Sequence, residues 1–168
     1  YDTVSLSTDA IPLAIGYIAA YCKKIYGSKA EITLFKYLED LEQALVDSPP
    51  DILGLSNYSW NQNIGLEMFN IARKSNPDVL TVWGGPNFPI DLPSQKKFMN
   101  ENKIVDIYVP LEGEIGFSNI VDVCFSATQS KEIRQLAISK SIEGCVIRNS
   151  NNELIFSGPG LRTRKQLD

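Results

Sequence analysis

The sequence predicts a parallel, doubly wound α/β sheet with a C-terminal β-hairpin, on three observations. Short β-branched runs alternate with stretches of helical period, and turn residues punctuate the junctions. After about residue 127 this alternation gives way to two strand-like runs around an Asn-rich turn. A chain of 168 residues, 43% hydrophobic and 21% charged, suits one compact domain with a real core.

Taken in order, Asp9 can cap a helix, Pro12 suits its first turn, and Ile15, Ile18, Cys22 and Ile25 recur at helical spacing until Gly27. This predicts a helix over 11–26. "AEITLFK" (30–36) alternates as a strand, and Leu38, Leu41 and Leu45 predict a short helix ended by Ser48-Pro49-Pro50. "DILGLS" (51–56) reads as a buried strand, and Ile64, Met68, Ile71 and Ala72 mark one face of a helix over 61–75. "VLTVWGG" (79–85) is a third strand, 91–101 a looser helix, and "IVDIYV" (104–109) a fourth strand. A helix over 115–126 turns Ile120, Val121 and Cys124 inward, and 144–158 forms the hairpin. The predicted organisation is a ligand-binding domain over 1–126 and an extension and linker over 127–168.

Composition narrows the chemistry. Sixteen basic against twenty acidic side chains leave a net charge of -4, with the basic residues scattered, so nucleic acid is not an expected partner. No run of about 18 apolar residues predicts a membrane span. Cys22, Cys124 and Cys145 follow no metal-ligand spacing and read as reduced, mostly buried thiols of a cytoplasmic protein. The chain contains no histidine, which removes Ser-His-Asp and Cys-His catalysis and the commonest zinc and iron sites. Neither GxGxxG nor GxxxxGK[ST] follows a strand, so dinucleotide and nucleoside-triphosphate sites are disfavoured. Any chemistry would come from a different cofactor. The start lacks methionine and a signal-peptide pattern, and "LRTRKQLD" closes the chain in linker-like composition, as expected of a piece of something longer.

In such sheets ligands lie beyond the carboxyl ends of the strands, and three turns there are unusual. In "SNYSWN" (56–61), Ser56, Asn57 and Ser59 surround Tyr58 and Trp60. Either a serine and Asn61 cap the following helix, or hydroxyls and amides hold a polar ligand edge beside an aromatic wall. In "GGPNFP" (84–89), Gly84, Gly85, Pro86 and Asn87 form a plain turn or a stretch of bare main chain against which a bulky ligand lies. In "PLEGEIGF" (110–117), Glu112, Gly113 and Glu114 complement a helix dipole or supply paired carboxylates, the latter without a nucleophile nearby.

Four segments, "PLAIGYIAAYC" (12–22), "PDILGLSNYSWN" (50–61), "NPDVLTVWGGPNFP" (76–89) and "VDIYVPLEGEIGF" (105–117), resemble in order and spacing the cobalamin-binding domain of cobalamin-dependent radical S-adenosylmethionine enzymes. The resemblance covers about residues 10–125 and implies a Rossmann-like (flavodoxin-like) sheet with cobalamin across its carboxyl edge and the dimethylbenzimidazole tail in the interior. It points to Ser56 and Ser59, with Asn57, for polar contacts near that tail, and to Tyr58 and Trp60 for the approach. Gly84, Gly85, Pro86 and Asn87 would border the nucleotide loop, and Glu112, Gly113 and Glu114 the far side. Asn87 stands where many relatives have histidine, and the first strand of the family is missing or reduced to "DTVSLS".

Related mutases place a DxHxxG imidazole on cobalt, which this chain cannot do. The resemblance therefore implies base-off cobalamin without a histidine ligand, open to the low-valent cobalt that exchanges a methyl group between S-adenosylmethionine and a substrate radical. No CxxxCxxC is present, so a [4Fe-4S] cluster and S-adenosylmethionine would belong to a radical barrel in cis, absent from this chain, and the chain alone would bind without turnover. The rival reading is a flavodoxin-like regulatory or interaction domain without the ligand, against which Gly85→Leu should discriminate. An empty crevice should tolerate leucine there.

Overall fold

The computed structural model describes residues 12–111 and 113–158. Asp9, the segment "DTVSLS", Glu112 and the tail from Pro159 lie outside the described residues.

Among those described, five strands form one sheet in the order β1 (Ile52–Ser56), β2 (Leu80–Gly84), β3 (Ile107–Val109), β4 (Val146–Arg148) and β5 (Leu154–Phe156). The first three are parallel, and the β4–β5 hairpin continues the sheet antiparallel from β3. The helices are α1 (Leu13–Tyr26), α2 (Leu38–Asp47), α3 (Gln62–Ser75), α4 (Leu92–Glu101), α5 (Gly113–Cys124) and α6 (Ser130–Ile138).

Period-two alternation sorts each strand between two cores. Leu53, Leu55, Trp83, Tyr108 and Val146 face α2, α3 and α4, where they meet Leu41, Leu45, Phe69 and Met99. Val82, Ile107, Val109 and Ile147 face α5 and α6, meeting Ile120, Cys124, Ala137 and Ile138. α1 packs on α5. The sheet is thus covered on both faces, as its near-continuous apolar strands require. Trp83 fills the space above α3 at Gly65, where a Cβ would lie 3.0 Å from the indole nitrogen.

Two expectations are corrected. Residues 31–35 form no strand and pair with none among the described residues, and Ile32 and Leu34 are exposed. A strand is defined by its ladder, and β1, which ends the described sheet, has no neighbour on that side. Second, α6 occupies a region for which the sequence reading assigned no element, so the helix over 113–124 is not the last. Thr128 donates its backbone N–H and its hydroxyl to Glu132, at 3.1 and 2.7 Å, and this fixes the first turn.

Asp106 joins the hairpin and α6 to the parallel strands. Its carboxylate, almost fully buried, pairs with Arg73 of α3 and Arg134 of α6, each at 2.9 Å. It also accepts from the Thr81 N–H and hydroxyl. The Asp106 carbonyl accepts the Arg148 N–H at 2.8 Å. Arg148 is itself buried and donates to the Met99 carbonyl. Burial pushes its guanidinium below the usual arginine range, and Asp106 opposes that shift.

All three cysteines are buried thiols. Burial pushes Cys22 up to about 11, and Cys124 and Cys145 up to about 12. The folded thiols hold their protons to higher pH than unfolded ones, whose ordinary value is 9.0. Their contribution to stability is therefore fully present below about pH 9 and is lost as the pH rises through 11 to 12. A thiol reagent at pH 8 should leave Cys145 unlabelled within minutes in the folded chain and label all three cysteines in denaturant. Rapid labelling of Cys145 in the native chain would contradict this burial.

Candidate cofactor-binding site

Strand register brings the three unusual turns abreast. Ser56 pairs with Gly84, and Gly84 with Val109, so the segments after β1, β2 and β3 leave the sheet at one level. Beneath them a cavity of 860 Å³ runs along β1 between α1, α2 and residues 29–35. Ser56, Tyr58, Gly84, Gly85, Gly113 and Glu114 line its end at the carboxyl edge. Its remaining walls are largely aliphatic and aromatic, including Ile18, Leu41, Leu53 and Phe117. A second hollow, of 580 Å³, lies on α6 away from this edge.

The rim is tied by amides. Asn57 is fully buried, and its N–H donates to the Gly84 carbonyl at 2.6 Å. Its side-chain amide donates to the Tyr108 hydroxyl at 3.3 Å, which in turn donates to the Gly85 carbonyl at 3.0 Å. Burial raises the Tyr108 phenol, so this hydroxyl stays protonated and available as a donor. Asn87 donates to the Asn57 side chain at 3.3 Å and to Gln62 at 2.9 Å. Phe88 stacks on Tyr108 with centroids 4.1 Å apart. These contacts lock the first two turns together.

Asn61 stands at the cap position of α3 but does not cap it with its side chain. Its Oδ1 accepts the Tyr58 N–H at 2.8 Å and its amide donates to the Ser56 carbonyl at 3.1 Å, folding the turn back on β1. In that turn Tyr58 and Trp60 stack at 4.6 Å, almost parallel, with Trp60 exposed.

The structure brings together Ser56, Tyr58, Gly84, Gly85, Gly113 and Glu114 around the cavity. Asn57 and Asn87 shape the rim from behind it. Ser59, Trp60 and Pro86 are exposed and do not line the cavity. Glu112 lies outside the described residues. Gly113 opens α5 where a Cβ would meet the Ile18 side chain at 2.6 Å, so its missing side chain lets α1 and α5 close on each other.

Gly85 has a use apart from any ligand. Its φ is +123°, and a Cβ there would sit 2.8 Å from the Asn57 carbonyl oxygen. The room beside Gly85 is therefore filled by the chain's own backbone. Leucine at this position would disrupt the rim whether or not a ligand binds, so Gly85→Leu does not separate the two readings.

A family profile described as "B12 binding domain" matches residues 2–121. The chain belongs to the B12-binding domain family. The domain is 27% identical over 117 residues to the cobalamin-dependent radical SAM methyltransferase TokK of Streptomyces tokunonensis, covering 66% of this chain and 16% of that protein. It is 26% identical over 141 residues to the uncharacterized methyltransferase PH0819 of Pyrococcus horikoshii, covering 81% and 29%. Among solved structures it matches the cobalamin-dependent S-adenosylmethionine radical enzyme OxsB with aqua-cobalamin and S-adenosylmethionine bound. The TM-score is 0.66 at 17% identity, over 93% of this chain and 21% of that one. The B12-binding domain thus spans between about a sixth and a third of the curated relatives it matches. Among the described residues, no helix is long and apolar enough to cross a membrane.

Sequence reasoning missed the inner part of this site. Tyr108 and Gln62 complete the amide network, and Leu111, Ile18 and Phe117 line the cavity. Tyr108, Gln62 and Ile18 read in sequence as ordinary strand or helix residues, while Leu111 and Phe117 fall in the quoted turn 110–117 without being singled out there.

Proposed function

We propose that this chain is the cobalamin-binding part of a radical S-adenosylmethionine methyltransferase and holds its cofactor base-off, with the nucleotide tail in the cavity along β1. The observations that carry this reading are the B12-binding family match over residues 2–121 and the strand register that sets the three strand-end turns at one level, with Ser56, Gly84 and Gly113 around a common mouth.

Ser56 and Glu114 would supply polar contacts at the mouth and Tyr58 a flat wall; Gly84 and Gly113 line that mouth, their missing side chains making room for Val109 and Ile18. Asn57, Asn87 and Tyr108 hold those turns in place before binding, which lowers the ordering cost of the complex. When bound, cobalamin supplies a cobalt centre that accepts and gives up a methyl group. With no imidazole in the chain, nothing of that kind replaces the displaced benzimidazole. Residues 1–126 would form the binding domain, and 127–168 would lead toward the radical barrel in cis that holds the [4Fe-4S] cluster and S-adenosylmethionine. The chain by itself would bind without turnover.

Adding hydroxocobalamin to the purified chain should convert its visible spectrum to a base-off form with half-saturation at tens of micromolar or below. A spectrum that stays base-on at higher concentrations would refute the reading. The second reading, a regulatory domain that keeps the sheet without the ligand, gains from one observation. Gly85 is required by the Asn57 backbone and needs no ligand to explain it. The same titration decides between them.

A further inference from the structure

Leu111 is held in a left-handed backbone conformation, φ +64°, at the carboxyl end of β3. A Cβ in this region crowds the neighbouring carbonyl oxygen, so glycine, asparagine and aspartate are the residues that usually adopt it. The other described non-glycine residue with positive φ, Asn152, is of that tolerant kind and sits in the hairpin turn. Leucine is not.

The turn itself explains why a left-handed residue is needed. Pro110 follows β3 directly, and α5 must begin at Gly113, where it closes against Ile18. The chain therefore reverses within two or three residues. A glycine at 111 would do this without strain. Nor does core packing hold the leucine there, because its side chain is 59% exposed. That side chain instead lines the cavity, at the mouth shared with Ser56, Tyr58 and Gly84.

We propose that Leu111 is a ligand-contacting residue, an apolar wall of the cofactor site that becomes buried only when the site is filled. The inference rests on the cobalamin reading. It names a cost to the empty protein and a gain to the complex at one residue, as strained positions at binding sites are expected to show.

The test compares the parent chain with Leu111→Gly, Leu111→Asn and Leu111→Met, reading the melting temperature without cofactor and the dissociation constant for hydroxocobalamin. Glycine and asparagine should leave the melting temperature of the empty chain unchanged or raise it by about 2–4 °C. They should weaken hydroxocobalamin binding about tenfold or more, the scale of losing one buried leucine contact. Methionine, which keeps an apolar side chain, should bind within about threefold of the parent. Variants that bind as tightly as the parent overturn the inference, as does a joint fall in melting temperature and affinity, which marks a structural role. A parent chain that binds no hydroxocobalamin overturns the cofactor reading and this inference with it.

Discussion

Replacing Asp106 with alanine should destabilise the folded chain by about 3–5 kcal/mol, the usual scale for removing one partner of a buried ion pair. The carboxylate is 3% exposed and meets two guanidiniums that are themselves only 22% and 25% exposed. Without it, Arg73 and Arg134 face each other across low-dielectric space, and the Thr81 N–H loses an acceptor while the Thr81 hydroxyl keeps the Ile104 carbonyl at 2.6 Å. For a chain of this length, the melting temperature should fall by about 6–20 °C. Hydrogen exchange should report the loss first in α6 and the β4–β5 hairpin, which Asp106 ties to the sheet through Arg134 and the Arg148 N–H. A variant that melts with the parent would show that solvent already shields these arginines.

The second large effect is at Gly85. A Cβ there would approach the Asn57 carbonyl oxygen to 2.8 Å and the Asn57 nitrogen to 3.2 Å. Asn57 cannot retreat freely, because its N–H bonds to Gly84 and its carbonyl accepts the Asn87 N–H. Leucine would add the strain of a positive φ to the loss of one or both of these bonds, together about 2–4 kcal/mol. Gly85→Leu should therefore lower the melting temperature in the absence of any ligand. If it melts like the parent and differs only in cofactor binding, the glycine serves the ligand and not the rim.

Much of the architecture is legible in the sequence because apolar period and turn chemistry are local signals. The runs at 51–56, 79–85 and 104–109 correspond to the parallel strands β1, β2 and β3. The segment 30–36 alternates just as well and yet forms no ladder among the described residues, since pairing depends on a neighbour that no local pattern reveals. α6 went unread although Ile133, Leu136 and Ala137 recur at helical spacing. At the site, the three strand-end turns stand out by composition. What each residue does there depends on register: Gly85 answers to Asn57 across the sheet, Asn61 turns back to Ser56, and Leu111 shows its strain only in its φ angle.

The central claim is that the cavity along β1 receives the cofactor's nucleotide tail. Binding of cob(I)alamin should be compared with that of cob(I)inamide, which has the same corrin but lacks the tail; in this reduced state the benzimidazole is already off cobalt, so neither ligand has that bond to break. If the tail enters the cavity, cob(I)alamin should bind at least about tenfold more tightly, the scale of about 1.4 kcal/mol gained from burying it. Equal affinities would place the tail in solvent and contradict the account.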